Sequence, residues 1–317
     1  MNLSPVVLFC YNRPDNTRIT LDALAGNQLA DQSTLIIYCD GPKKSMSQLD
    51  LDRIKEVREL ADEEHRFAVV KVIKRDENIG LAQSIITGVS AVVNEYGSAV
   101  VLEDDILCSK YFLRFMNDAL AKYKDHPKVF SIGGCNYFAL GNNIPSIFAV
   151  PVADCWGWAT WKDRWDLFEV DSQKLVLEIQ QRGLVNEFSL LGYYDFFGML
   201  KSQRDGKISS WAIRWQATIF LNNMLTIYPN PSVTQHLESP NATHANINVL
   251  PPLAIEKITL ANDPVRLEKK IFMKMLKGYF TGLTTNRFRN LILSLQFAMK
   301  SMFDKKIADY VHKINSL

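Results

Sequence analysis

Three consecutive carboxylates, Glu103, Asp104 and Asp105, follow the apolar run 99–102, and we refer to them as the acidic cluster. We expect that run to be a strand buried on both faces, so that the charges emerge where the sheet edge meets solvent. Neighbouring acids raise one another's pKa unless a cation lies among them, and hard divalent cations prefer carboxylate oxygens as ligands. The pattern indicates a divalent metal with a phosphate on its far side. The alternative is that Asp104 or Asp105 caps the next helix.

The elements that must position this cluster alternate along the first 135 residues between β-branched apolar runs and amphipathic stretches of helical length. The alternation predicts βαβ crossovers, and therefore an α/β fold with a Rossmann-type, mainly parallel sheet flanked by helices. In such sheets ligands bind outside the carboxyl ends of the strands. The predicted strands are 5–10, 34–39, 68–73, 99–102 and 129–132, and the predicted helices are 15–26, 48–64, 80–95 and 109–124.

Polar side chains also follow the first two predicted strands. Asn12 and Arg13 come after the first strand, and Asp40 comes after the second. Parallel strands would bring all of them to the edge that holds the acidic cluster. Asp40 would then accept hydrogen bonds from a ribose hydroxyl or a base N–H, and Arg13 would meet a diphosphate. The alternatives are an ordinary Asp-Gly turn and a solvated loop cation.

Further motifs follow along the chain. In order, the motifs are Asn12-Arg13-Pro14, Cys39-Asp40-Gly41, Arg75 with Asn78-Ile79-Gly80, the acidic cluster, Cys155-Trp156-Gly157-Trp158 with Trp161 and Trp165, Ser210-Trp211-Ala212-Ile213-Arg214-Trp215, and a late His. In order and spacing, they resemble the motifs of GT-A-fold glycosyltransferases, most of all bacterial inverting sugar transferases. There is a more distant similarity to the Golgi N-acetylglucosaminyltransferase that starts hybrid N-glycans. The resemblance extends over residues 4–245.

The resemblance implies a nucleotide-sugar donor and a divalent cofactor, Mn²⁺ or Mg²⁺. In the DXD-like motif of this superfamily, Asp104 would approach the ribose and Asp105 would carry the metal. A His on a flexible segment would ligate the metal or touch the diphosphate, and His244 matches that position better than His236. The alternative for either imidazole is solvation on a loop. The implied donor-nucleotide residues are Asn12, Arg13, Asp40, Arg75, Asn78, Gly80 and Asp104.

An inverting transfer also needs a base for the acceptor hydroxyl. In the Golgi enzyme an acidic pair follows a Trp, but here Ala212 and Ile213 follow Trp211, so that assignment does not carry over. We expect Asp195, in its aromatic setting, to be the base, with Asp154 as the alternative. Either residue is otherwise an ordinary hydrogen-bonded acid at a helix or strand end.

Indoles stack on sugar faces, and they also fill protein cores. We expect one or two of Trp156, Trp158 and Trp161 to line the acceptor side and the others to pack. The predicted acceptor-binding set is Glu103, Trp156, Gly157, Trp158, Trp211 and Arg214.

The net charge of +2 hides an asymmetry, because residues 264–317 carry eleven Lys and Arg against three Asp and Glu, a net charge of +8. We expect a GT-A-like domain over 1–263, with a nucleotide-binding half 1–135 and an acceptor-side half 136–263. A basic, amphipathic helical extension over 264–317 would follow. Such an extension favours attachment to an anionic membrane surface, and its alternative is a solvated helical face. No motif points to nucleic acid.

The chain begins without a recognisable signal peptide and has no apolar window long enough for a membrane-spanning helix. Its five scattered cysteines fit buried thiols in a reducing cytoplasm. We expect a cytoplasmic, peripherally membrane-bound enzyme at the inner face of the plasma membrane. It would transfer a sugar from a UDP-linked donor to a glycan or lipid-linked glycan, in polysaccharide or lipopolysaccharide biosynthesis.

Two rival functions stay open. One is a sugar-nucleotide nucleotidyltransferase, which would want a glycine-rich loop after the first strand, where this chain has no glycine. The other is a catalytically inactive glycan- or membrane-binding protein, which the missing acid after Trp211 supports.

Overall fold

The structure is a computed structural model that describes residues 3–136, 145–237 and 253–262 and the backbone of 265–266. In chain order, its strands are β1 (Val6–Cys10), β2 (Thr34–Cys39), β3 (Val69–Lys74), β4 (Ser98–Glu103), β5 (Ile106–Cys108), β6 (Val129–Gly133), β7 (Ile147–Val150), β8 (Trp158–Trp161), β9 (Leu225–Pro229), β10 (Thr234–His236) and β11 (Val265–Arg266). Its α-helices are α1 (Pro14–Ala25), α2 (Gln48–Asp62), α3 (Leu81–Tyr96), α4 (Phe112–Tyr123), α5 (Lys162–Trp165), α6 (Ser172–Gln181), α7 (Val185–Phe188), α8 (Phe196–Arg204) and α9 (Trp211–Leu221).

Within the described residues, nine strands form one sheet in the order β11-β7-β9-β6-β8-β4-β1-β2-β3, and β10 and β5 form a separate pair. Strands β4, β1, β2 and β3 run parallel, while β8 is antiparallel to both β4 and β6. The predicted α/β class with a mainly parallel sheet is confirmed. Each predicted strand and helix of the first 135 residues is present, with ends that differ by three residues at most.

Alternate residues of β1 pack into different layers. Leu8 belongs to the apolar cluster that includes Leu24 of α1, whereas Val7 belongs to the cluster that includes Val89 of α3. All four side chains are fully buried. Helices on both faces require a strand that is apolar throughout, because successive side chains point to opposite faces. Polar groups are therefore confined to the ends of such strands.

The strand register gathers these polar ends. Cys10 of β1 lies opposite Cys39 of β2, and Phe9 lies opposite Glu103 of β4. The segments after β1, β2 and β4 thus leave the sheet at one edge, as predicted. Strand β10 adds a fourth segment, because it pairs antiparallel with β5 and places His236 opposite Ile106.

The second half of the chain packs around an indole-rich core and a helical layer of α6, α8 and α9. All five cysteines are free thiols, and four of them are buried. The backbone of β11 pairs in parallel with β7, so the first residues of the predicted extension 264–317 join the sheet. The rest of that extension and His244 lie outside the described residues. In the part of the chain that is described, no helix is long and apolar enough to cross a membrane.

Candidate functional site

The acidic cluster lies in the tight connection between β4 and β5. The N–H of Tyr11 donates to Oδ2 of Asp104 over 3.3 Å, and the hydroxyl of Thr20 donates to the Asp104 carbonyl over 3.0 Å. Asp104 and Asp105 are both buried. A strand follows them directly, and α4 begins only at Phe112 with Tyr111 as its N-cap. The interpretation of these acids as helix caps is therefore wrong.

Arg13 reaches the cluster from the end of β1. Its Nη1 lies 2.6 Å from Oδ2 of Asp105 and 3.7 Å from Oδ1 of Asp104. The guanidinium side chain is 41% exposed, whereas the two carboxylate side chains are 9% and 11% exposed. Arg13 thus bridges the two acids from the solvent side, as a cation placed over a largely buried anionic pair.

His236 is the imidazole that contacts the cluster. Its Nε2 lies 3.3 Å from Oδ2 of Asp105, and its ring lies 5.2 Å from that of Trp156. The Leu237 N–H also donates to the Asp105 carbonyl over 2.7 Å, which extends the β5–β10 pairing. The resemblance favours His244 over His236 as the ligand, whereas the structure places His236 against the acidic cluster. The signal that favours His236 is the antiparallel pairing of β10 with the strand that follows the acids.

Burial and mutual repulsion dominate the electrostatics of the cluster. Burial raises the pKa of Glu103 to about 8 and that of Asp104 to about 7, and in each case the Asp105 charge adds to the increase. Burial also opposes ionisation of Asp105, but hydrogen bonding and charge from His236, together with Arg13, hold its pKa below the usual value. The cluster therefore favours any additional cation that approaches it.

The donor set suits a hard divalent ion. Asp105 offers carboxylate oxygen, and Mg²⁺-type sites commonly combine one or two carboxylates with substrate phosphates and water; His236 offers an imidazole nitrogen as an additional ligand. Among the described residues, no three His, Cys, Asp or Glu side chains already gather as a metal site. Arg13 occupies the Asp105 oxygen that such an ion would use. The residues therefore fit an ion that brings its own phosphate ligands and displaces Arg13.

Asp40 holds the loop before α3. Its carboxylate accepts backbone N–H groups from Gly41 (3.0 Å), Ile79 (3.1 Å) and Gly80 (3.0 Å), and the residue is only 5% exposed. Gly41 is required beside it, because a Cβ there would lie 2.4 Å from the Glu77 carbonyl carbon. The contacts of Asp40 favour the turn interpretation over the predicted nucleotide contact.

The other predicted donor residues surround this loop. Asn78 donates through its side chain to the Gly41 carbonyl over 3.1 Å, so it serves the same connection. The Arg75 guanidinium lies 5.2 Å from the Tyr38 ring, at the carboxyl end of β2. Asn12 is partly buried directly after β1. Of the predicted donor set, Arg13 and Asp104 contact each other at the acidic cluster, whereas Asp40 and Gly80 contact each other in the loop before α3.

Four of the six predicted acceptor-side residues, which are Glu103, Trp156, Trp158 and Trp211, divide between the site and the core. Trp156 is partly buried against His236, so its indole borders the cluster. Trp158 is only 1% exposed and stacks on Trp211, whose side chain hydrogen-bonds to Glu103. The expectation that Trp158 contacts an acceptor is not met, because its indole has no free face.

The other two predicted acceptor-side residues, Gly157 and Arg214, support the local backbone. Gly157 adopts φ +86°, and a Cβ there would lie 2.7 Å from Cγ2 of Thr234. The hydroxyl of Thr234 donates to the Trp156 carbonyl, which ties this loop to β10. Arg214 donates to the carbonyls of Ser210 (3.1 Å) and Val170 (3.2 Å), so it fastens the first turn of α9.

The two predicted bases have structural contacts. Asp154 is 1% exposed, and its carboxylate accepts the N–H groups of Gly134 (2.8 Å), Cys135 (2.9 Å) and Trp156 (2.9 Å). Burial nevertheless raises its pKa to about 6. Asp195 is exposed and caps α8 through a 2.8 Å hydrogen bond from the Gly198 N–H. The cap neither supports nor opposes a catalytic role, so Asp195 stays the predicted base.

Comparison with known proteins yields structural similarity only. No protein-family model matches the sequence, and no curated protein matches it as a relative. S. aureus TarS 1–349 aligns at 11% identity and TM-score 0.37, over 74% of this chain and 60% of that one. Mouse xyloside xylosyltransferase 1 aligns at 10% identity and TM-score 0.38, over 69% of this chain and 81% of that one. UDP-glucose pyrophosphorylase complexed with UDP-glucose aligns at 11% identity and TM-score 0.29, over 52% of this chain and 79% of that one. At these scores the similarity carries no conclusion about function, which rests on the site.

Proposed function

We propose that this protein is a metal-dependent glycosyltransferase that uses a nucleotide diphosphate sugar, UDP-linked, as donor. The observation that supports it is the convergence of the acidic cluster, Arg13 and His236 at the carboxyl edge of parallel strands. That edge is where open α/β sheets bind nucleotides. Closely placed acids, a nitrogen ligand and an exposed guanidinium together provide the charges that a metal–diphosphate complex needs.

In the proposed reaction, these residues bind the metal ion, the nucleotide, the diphosphate and the acceptor. Asp105 and His236 would hold Mn²⁺ or Mg²⁺, and Asp104 would orient the nucleotide from its position beside the Tyr11 N–H. When bound, the ion neutralises the charge that develops on the leaving diphosphate. Arg13 would bind the diphosphate through its paired N–H groups. Trp156 would present its indole face to the acceptor sugar.

The transfer would proceed with inversion to a glycan or lipid-linked glycan. Asp195 is the proposed base, and Glu103 is a second candidate because it adjoins Asp104 in the acidic cluster and its carboxyl group meets the Trp211 side chain. D195N and E103Q separate the two, since loss of the base lowers kcat while donor binding is retained.

A donor-turnover assay tests the proposal. The full chain is incubated with a panel of UDP-sugars and Mn²⁺, and UDP release is measured for the wild type and for D105N. The exposed Asp125 provides the matched control D125N. We expect UDP release that EDTA abolishes, D105N lowers at least about a hundredfold and D125N leaves unchanged. Turnover that survives both EDTA and D105N would overturn the proposal. Pyrophosphate release from UTP and a sugar 1-phosphate would establish the nucleotidyltransferase instead.

We also propose that residues 264–317 attach the protein peripherally to an anionic membrane. Support comes from their net charge of +8 and from the interspersed apolar residues. A lipid-linked acceptor, as in polysaccharide or lipopolysaccharide biosynthesis at the inner face of the plasma membrane, would make this attachment useful.

A further inference from the structure

Arg13 and a divalent ion would compete for the same atom. Oδ2 of Asp105 lies 2.6 Å from the Arg13 guanidinium and 3.3 Å from His236 Nε2. An ion held by Asp105 and His236 would therefore lie close to the Arg13 guanidinium. A guanidinium and a divalent cation repel each other strongly at such distances. The contact between Arg13 and Asp105 therefore opposes binding of an ion on its own.

The Arg13 side chain is able to leave without movement of its backbone. The Arg13 carbonyl accepts both the N–H (2.9 Å) and the hydroxyl (2.8 Å) of Thr17, and Pro14 starts α1 directly after it. These contacts hold the main chain in place. The side chain, by contrast, is 41% exposed and reaches the carboxylates from the solvent side. Rotation about its own bonds suffices to exchange one anionic partner for another.

A diphosphate is the partner that would draw Arg13 away. Guanidinium N–H groups bind phosphate oxygens in pairs, and this geometry is as favourable as a carboxylate contact. A nucleotide diphosphate would thus relieve Asp105 of Arg13 and supply oxygen ligands to the incoming ion. Ion and nucleotide would each raise the affinity for the other by the same factor.

We propose that Arg13 is an internal counter-ion that occupies the Asp104–Asp105 pair in the ligand-free protein and makes binding of a divalent ion conditional on a nucleotide diphosphate. This inference rests on the proposed function and adds an order of binding, in which the nucleotide is required before the metal ion binds. Its consequence is that the site stays free of metal until the donor arrives.

Manganese binding to the full chain, followed by the EPR signal of free Mn²⁺, tests the inference without a need for activity. The variants are R13Q, R13K and the control R18Q, which removes the exposed guanidinium of Arg18 in the adjoining helix α1, 3.6 Å from Glu56. Without nucleotide, we expect R13Q to bind Mn²⁺ about tenfold more tightly than the wild type or more. R13K keeps the charge and should stay near the wild type, as should R18Q. A gain in affinity is not an outcome that a merely misfolded variant produces.

The same titration with UDP completes the test. In the wild type UDP should tighten Mn²⁺ binding about tenfold or more, and in R13Q this coupling should be smaller, because only the phosphate ligands to the ion then remain to couple the two. Unchanged Mn²⁺ affinity in R13Q would overturn the inference, even if the wild type binds UDP and Mn²⁺ together as the proposed function requires. If the wild type binds no UDP under any metal condition, the proposed function fails. A tighter R13Q–Mn²⁺ complex would still establish the competition.

Discussion

The substitution D40N tests whether Asp40 has a structural role or binds the nucleotide. In the structure its carboxylate accepts three backbone N–H groups over 3.0 to 3.1 Å, two of them from the start of α3. Asparagine keeps one oxygen but turns an amide N–H₂ toward a backbone donor. One charge-assisted hydrogen bond is lost, at about 1.5–3 kcal/mol, and the remaining ones become neutral.

We therefore expect D40N to lower the free energy of unfolding by about 3 kcal/mol. Chemical denaturation monitored by circular dichroism measures this, and hydrogen exchange should show loss of protection at the Ile79 and Gly80 amides. The matched control is D76N, in the same loop, where the aspartate is exposed. That variant should stay within about 0.5 kcal/mol of the wild type.

The contrary result is equally definite. If D40N unfolds like the wild type and D76N, and only its UDP affinity falls, then Asp40 serves the nucleotide. In that case the three hydrogen bonds from the backbone to Asp40 do not stabilise the loop, and a structural role for Asp40 is refuted.

Three further predictions follow from other parts of the molecule. Burial raises the pKa of Asp154 to about 6, so its stabilising contribution is present below its unfolded value near 4 and is lost as pH rises through 6. The advantage of the wild type over D154N in unfolding free energy should thus be about 2 kcal/mol larger at pH 4.5 than at pH 7.5, and a constant difference would contradict it. G157A should lower the free energy of unfolding by about 2–3 kcal/mol, because of the positive φ and the contact of the added Cβ with Thr234. G206A, at φ +70° in open space, should lower it by only the backbone strain of about 1–2 kcal/mol. Equal losses in the two variants would show that the contact with Thr234 is unimportant. Truncation after Arg266, which keeps β11, should abolish co-sedimentation with anionic vesicles, and unchanged sedimentation would discard the membrane proposal.

Local sequence patterns predicted the strands and helices of the first half because those elements are regular. The run 34–39 is mostly apolar, with β-branched residues at Thr34, Ile36 and Ile37, and the structure has β2 over the same residues. The helix predicted to begin at 109 begins at Phe112, because the Ser109 carbonyl accepts the Phe112 N–H in a preceding turn. Such turns depend on local hydrogen bonds that apolar periodicity does not report.

The site was predictable in its location and not in its pairings. The ends of β1, β2 and β4 converge as parallel connectivity requires. The contact of Arg13 with Asp105, however, joins residues 92 positions apart, and His236 reaches the cluster through a strand pair that leaves no periodic signal. Likewise, Asp40 is the same residue type whether it accepts hydrogen bonds from a ribose or from a loop. The difference is decided by where the backbone after β3 folds back.

A crystal of the full chain soaked with UDP and Mn²⁺ tests the central claim most directly, through the anomalous signal of manganese. We expect the ion within ligand distance of the Asp105 carboxylate and the His236 imidazole, the diphosphate on its far side, and Arg13 moved from Asp105 to the phosphates. A manganese peak and a nucleotide elsewhere, with Arg13 still on Asp105, would contradict the account.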